Sequence, residues 1–440
     1  MGSKYFLVLA LACVSTNALA QVTEQARVRS LDPSPGKGSG AAVAISGERA
    51  LLGAPLDDHS GVVTAGSAYV YLRSGTTWSQ EAKLIAGDAA DPEVAGAYFG
   101  SAVAIAGDTA VVGAYRDDHS GLVDAGAIYV FERTGTAWSQ SVKLTASDAN
   151  GLDQLGHSVA ISGDTLVVGA RRGASSGAGA VYVFVRSGSG WSEEAKLLAS
   201  DAAASDRFGW SVAVFGDTLV AGADRDDFAG FNDPGSAYVF IRAAGLWTEQ
   251  AKLIASDAAA GDHFGSSVSL WQDTVLVGAD DENDGTTVNA GAAYVFERSG
   301  VQWTESDKWI GSTIGTSDRF GRSVSLVGDV AVVGADRDGH SSVGDAGSAF
   351  VFQRSGSTWS QQYLLRQSEA GQIDHFGAAV AFDGQTIVVG TPGDDVACQQ
   401  DEGSGYVFVL DGSGAINSYC FCECSAPCGN FDASAGCANS

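Results

Sequence analysis

Beyond its first twenty residues the chain has no apolar run long enough to cross a bilayer as a helix, so no helical membrane anchor is expected. It is also poor in positive charge. Its 25 Lys and Arg face 52 Asp and Glu, for a formal charge of −27. Such a surface repels nucleic acid phosphates and anionic lipid, which excludes a nucleic-acid partner. No GxGxxG or P-loop spacing joins a strand to a helix, and nothing resembles a nucleophile elbow or an H-E-x-x-H helix. Proline is limited to seven residues, while glycine, at 58, is abundant, as expected where many tight turns join short strands.

Cysteine is sparse and unevenly placed. Cys13 lies in a leader: Lys4, the apolar stretch Phe6 to Val14 and the small-residue site Ala18-Leu19-Ala20 read as a signal peptide over 1–20, with the mature chain starting at Gln21. The six that remain, Cys398, Cys420, Cys422, Cys424, Cys428 and Cys437, are an even number in an exported chain. Disulfides are expected among them, in any of 15 pairings, with Cys398 stapling a Cys-rich tail (415–440) to the body of the molecule. The product is expected outside the cell, secreted or at its surface, as a monomer.

What dominates the chain is a repeat. FGSAVAIAGDTAVVGA, from Phe99 to Ala114, returns in altered form seven times, opening at Ser39, Phe99, Leu155, Phe208, Phe264, Phe320 and Phe376. Between the second glycines of the openings, Gly40 to Gly377, the steps are 60, 56, 53, 56, 56 and 56 residues. Each unit alternates apolar and polar residues in four short runs separated by turn residues. Four antiparallel strands, seven times over, describe an all-β, seven-bladed β-propeller across 21–414. The seventh unit lacks its Trp-led fourth strand. Thr23-Glu24-Gln25-Ala26-Arg27 at the other end matches Thr248-Glu249-Gln250-Ala251-Lys252, a fourth strand elsewhere, so the segment 22–32 is expected to complete the last blade and close the ring.

These residues carry a family resemblance. Phe-Gly at the front of each unit and Gly-Ala-Pro at the back resemble FG-GAP repeats, the unit of the integrin alpha-subunit head, over roughly 21–414. The resemblance implies the propeller fold and, by analogy, a binding or adhesion role. It does not carry over the family's calcium loops, because the 1–2 connection that holds them is only a Gly-Asp turn here, as at Gly107-Asp108. The nearest calcium-like spacing is Asp280, Glu282, Asp284 in a 2–3 loop, with no Glu at the twelfth position; calcium is possible but not required.

In such a propeller the 2–3 and 4–1 loops share one face. Here they are long and acidic, and Asp117, Asp118, Asp224, Asp226, Asp227, Asp336 and Asp338 are the candidate ligand contacts; turn formation and pairing with arginine is the alternative for each. The third unit's loop, Arg171 to Gly179, has no acid at all. Tryptophans 78, 138, 191, 247, 303 and 359 are expected to pack between blades. The expected function is recognition of an extracellular protein or glycan on the acidic face, with or without help from a divalent cation. A secreted hydrolase or lyase using His157, His263 and His375 at the channel mouth, and a purely structural surface protein, are the alternatives.

Overall fold

The computed structural model describes residues 21–22, 24–59, 61–88, 96–188, 190–340, 342–396 and 399–410. The expected leader, Cys398 and the five tail cysteines lie outside them. Seven antiparallel sheets follow one another along the chain. Blades one to six occupy 42–84, 102–144, 155–197, 211–253, 264–309 and 320–365, each with four strands in sequential order. Blade seven takes three strands from 379–409 and its outer strand from Ala26–Val28, which pairs antiparallel with Ser404–Val409 so that Arg27 lies opposite Tyr406. The ring is therefore closed by the segment expected to close it. Gln21–Val22 makes a further contact not foreseen: it pairs in parallel with Leu364 and Leu365 of blade six.

The second and third strands of every blade are buried almost throughout, as TLVVGA of Thr165–Ala170 and AVYVF of Ala180–Ser187 illustrate. Their β-branched and aromatic residues form seven packed clusters between neighbouring sheets rather than one central core. Each FG phenylalanine is fully buried and meets two aromatic rings of its own blade, mostly edge-on, as Phe264 meets Tyr294 at 5.4 Å and Phe296 at 5.9 Å.

The glycines of the repeat explain themselves at one contact. A Cβ on Gly222 would stand 2.0 Å from the carbonyl oxygen of Gly265, the FG glycine of the next blade. The same approach recurs at every junction and closes on itself, with Gly390 against the oxygen of Gly40. Phe-Gly and Gly-Ala thus mark the two sides of the blade-to-blade junction.

The outer strands are stapled as well. Glu193, Glu249 and Glu305 each accept bonds from the backbone N and hydroxyl of a serine in the preceding blade's exit loop, Ser147, Ser200 and Ser256. The expected tryptophan packing is present: the indole N–H of Trp138, Trp247 and Trp303 donates at 2.9 Å to Glu81, Glu194 and Gln250 of the neighbouring blade. No helix among the described residues is long and apolar enough to cross a membrane.

Candidate functional site: the loop face and channel mouth

The 2–3 and 4–1 loops do share a face, and their acids divide into three groups by where the chain points them. The first group is interior. Asp117 is fully buried and is held by Lys143 at 2.8 Å and by the Tyr129 hydroxyl at 2.6 Å; Asp88, from the preceding 4–1 loop, binds the same two groups. Asp226 repeats this with Lys252, Tyr238 and Asp201, and Asp338 with Arg366. These carboxylates, expected as ligand contacts, are occupied in holding a loop onto its blade. The second group caps turns. Asp118 and Asp227 accept the backbone N of Asp124 and Asp233 six residues on, and only Asp227 of the two is exposed. The Asp that precedes each FG pair, as in Asp262 and Asp318, accepts a backbone N three residues back.

The third group faces the axis. Asp224 and Asp336 follow the Gly-Ala pair and sit at the mouth of the channel, buried, in contact with Arg207 at 3.4 Å and His375 at 3.8 Å. Asp280 occupies the same position in blade five and lies 3.5 Å from both Arg319 and Arg322. The calcium-like trio therefore does not assemble. Asp280 turns to the axis, Glu282 turns to Lys308 at 2.6 Å on the outer strand, and Asp284 pairs through its backbone with Thr287. Among the described residues the group that does converge is His263, Asp280 and Asp281, with His263 Nδ1 2.9 Å from Asp281. Arg319 also contacts Asp281, at 3.4 Å, so these acids already have cationic partners.

The most exposed of these acids lie on the opposite rim, although Asp148, Asp201, Asp227 and Asp257 are also exposed on the loop face. Asp108, Asp164 and Asp217 in the 1–2 turns are 61%, 70% and 67% exposed, each next to an arginine from the end of a third strand. The loop face is thus less acidic toward solvent than its composition suggests. It also shows a feature that a search for acids overlooks: Val63, Val123, Phe231 and Val288 stand exposed at the tips of four 2–3 loops. One apolar residue per loop tip, inside the polar stretches, was the available signal.

At the mouth itself the repeat frame is constant and the chemistry is not. Three positions per blade converge there: before the FG phenylalanine, after its glycine, and after Gly-Ala. Blade two supplies Tyr98, Ser101 and Tyr115; blade three Gln154, His157 and Arg171; blade four Arg207, Trp210 and Asp224. These stack in sequence. Tyr115 meets His157 at 5.6 Å, His157 meets Trp210 at 4.5 Å, and Arg171 lies over both Tyr115 and Trp210 at 5.3 and 5.1 Å. Blades five and six continue the ring with His263, Asp280, Arg319, Arg322 and Asp336. Blade one offers proline after Gly-Ala, Pro55, and blade seven offers Pro392 after Gly390-Thr391. The mouth is therefore lopsided, aromatic and cationic on one arc, ionic on the other.

The three histidines do not share one repeat position. His263 and His375 take the slot before phenylalanine that Arg207 and Arg319 fill elsewhere, whereas His157 follows the glycine, in the slot of Trp210 and Arg322. Burial, together with Arg171, Arg207 and Arg322, pushes the His157 imidazole down to about 3. It is neutral at any physiological pH, so Nδ1–H donates to the Trp210 carbonyl and Nε2 accepts from Arg171. His263 is shifted the other way, chiefly by its bond to Asp281.

With this geometry in place, comparison with known proteins decides the family. The family model described as FG-GAP repeat matches seven segments, 22–71, 78–131, 138–184, 191–240, 247–296, 303–352 and 359–408. The chain belongs to the FG-GAP repeat family. Each matched FG-GAP segment after the first begins on the outer strand of one blade and ends on the third strand of the next, and the first begins at Val22, just ahead of the closing strand Ala26–Val28. A search of the curated proteins finds no match.

Burial gives this FG-GAP propeller a definite pH response. Desolvation pushes Asp224, Asp262, Asp318 and Asp374 up to about 6. A carboxyl whose folded value is raised is favoured by folding when protonated, so its contribution falls as pH rises from the unfolded value, about 4, through about 6. The raised His263 acts in the same direction. Asp148, Asp201 and Asp257, lowered where lysine binds them, act oppositely and lose their contribution only below about pH 4. Thermal melting across pH 3–8 should peak between about 4 and 6; a peak at pH 7 or above would contradict this assignment.

Proposed function

We propose that the protein is an extracellular or cell-surface binding module whose ligand, a protein or a glycan, docks on the loop face across the channel mouth. The observation that carries this is the mouth. Within seven near-identical frames, it is where Tyr98, Tyr115, Arg116, His157, Arg171 and Trp210 break the repeat, half-buried or exposed, on a rigid ring. Tyrosine, tryptophan and arginine are the side chains that most often dominate binding energy, and they lose little entropy when already stacked. The exposed loop-tip residues Val63, Val123 and Phe231 supply an apolar rim for the same contact.

The test is a binding screen on glycan arrays and extracellular protein panels with three forms: wild type, Trp210→Ala/Arg116→Ala, and the opposite-rim variant Asp164→Asn. Binding should fall tenfold or more in the mouth variant and persist in the rim variant, about 1–3 kcal/mol being the usual worth of such an anchor. Equal retention by both variants would remove the mouth from the reading. Docking in this reading needs no cation, because Arg319 and Arg322 already span Asp280 and Asp281. Melting and binding should be unchanged between millimolar calcium and chelator.

A second reading, acid–base chemistry at the mouth, is favoured by the His263–Asp281 contact alone. It is the weaker, because the neighbouring acids are committed to arginine. Screening hydrolase and lyase substrates against His263→Ala tests it directly.

A further inference from the structure

Six blades share an interior ion pair. The acid three residues beyond Gly-Ala, or Gly-Thr in blade seven, binds a cation on or just past the blade's outer strand: Asp57 with Lys83, Asp117 with Lys143, Asp226 with Lys252, Glu282 with Lys308, Asp338 with Arg366 and Asp394 with Arg27. Blade three breaks the rule on one side only. Lys196 and Tyr182 are retained, but the acid is replaced by Gly173. The backbone there is unchanged in kind, since Gly173 N still bonds the Ala170 carbonyl as Asp117 N bonds that of Ala114. Lys196 and the Tyr182 hydroxyl are left with Asp148 as their one carboxylate partner among the described residues.

A cavity of about 820 Å³ opens over this gap, at the seam between blades three and four. It is lined by Lys196, Arg172, Arg207 and Arg225, with Asn150, Ser176 and Ser205 among its polar neighbours and Asp153 as its acid. Burial raises Asp153, whose oxygen is committed to the Asn150 backbone N. Lys196 is paired with Asp148, and Arg207 with Asp224. Arg172 and Arg225 have no side-chain ion pair or hydrogen bond among the described residues, and the Nε of Arg225 is buried without a partner. On a chain of formal charge −27, four cations around one cavity that lacks its repeat's own carboxylate form a local reversal of charge.

We propose that this seam is a binding site for an acidic sugar, whose carboxylate takes the place vacated by the repeat's aspartate. The other blades show that a carboxylate fits between the outer-strand cation and the loop. Arg172 and Arg225 supply charge-assisted donors, and the polar lining suits ring hydroxyls better than an apolar ligand. This site borders the mouth through Arg207, which packs on Trp210, but the two arginines without an ion pair, Arg172 and Arg225, lie outside the stacked aromatic arc.

The probe is tri-galacturonate, titrated calorimetrically at low salt against its neutral galactose counterpart and against inorganic phosphate. Wild type should bind the acidic trisaccharide at least tenfold more tightly than either comparison probe. Gly173→Asp should restore the intramolecular pair with Lys196, abolish binding and raise the melting temperature. Its added Cβ meets Ala170 and Ala180 at 3.1 Å, so Arg225→Gln is the second variant, expected to weaken binding tenfold or more while the fold is kept. No binding by wild type, equal binding of neutral sugar or of phosphate, or unchanged affinity in both variants would overturn the proposal. Arg116→Ala, which touches Tyr98 and Tyr115 but not this cavity, should leave this titration unchanged, which separates its failure from that of the mouth.

Discussion

Replacing Gly265 with alanine should cost the protein several kcal/mol, more than any surface change to the loop face. Two independent penalties meet there. The residue has φ of +92°, a backbone region that L side chains rarely adopt, at roughly 1–2 kcal/mol for an ordinary residue. Its Cβ would also fall 2.4 Å from the Ser236 carbonyl oxygen, which is backbone in a buried ladder and cannot rotate away. Overpacking of this kind costs about 1–3 kcal/mol and more when the obstacle is rigid. Gly222→Ala, whose φ is ordinary, isolates the steric part through its 2.0 Å approach to the Gly265 oxygen. Gly216→Asn is the control: φ is +58° in a 1–2 turn with open space, where asparagine is tolerated at well under about 1 kcal/mol. Denaturant unfolding should rank the three Gly265→Ala, Gly222→Ala, Gly216→Asn from most to least damaging. If Gly265→Ala unfolds with Gly216→Asn, the junction is not the constraint described here.

That junction also marks how far the sequence could be read. The Phe-Gly and Gly-Ala words, their spacing and the match between Thr23–Arg27 and Thr248–Lys252 were enough for the fold and its closure, because a repeat reports its own geometry seven times. The site was less accessible. Asp224 and Asp226 differ by two residues, yet one faces the axis and the other an interior Tyr–Lys pair. Loop direction decides this, and composition does not encode loop direction. A clue to the interior role existed in Tyr129 and Lys143, which recur with the acid as Tyr69 and Lys83, Tyr238 and Lys252, and Tyr294 and Lys308. The mouth was missed for a different reason. Its residues differ from blade to blade, so a search for recurring acids passes over Tyr98, Tyr115 and Trp210, whose common feature is position alone.

Removal of residues 21–30 should abolish cooperative folding. The third strand of blade seven, Ser404–Val409, would lose its only outer neighbour and present a buried, apolar edge to solvent, an invitation to pairing with other chains. Three polar closures go with it. Arg27 contacts the buried Asp394 at 2.6 Å, the Ser30 hydroxyl donates to Glu402 at 2.8 Å, and Glu24 accepts the Ser368 backbone N at 3.1 Å. Arg27→Met gives the graded version. Asp394 would keep bonds from Ser404 and Tyr406 but lose its cation, and stranding a buried charge costs about 3–5 kcal/mol. Asp394→Asn in the same background should recover part of that loss, since it removes the stranded charge rather than the contact. The truncated protein is expected to aggregate or to unfold without a cooperative transition, and a synthetic 21–32 peptide should restore one by adding the missing strand. A truncated chain that melts as sharply and as late as the full one would mean that the ring holds without its clasp. The blade-to-blade glycine junctions would then carry the closure by themselves.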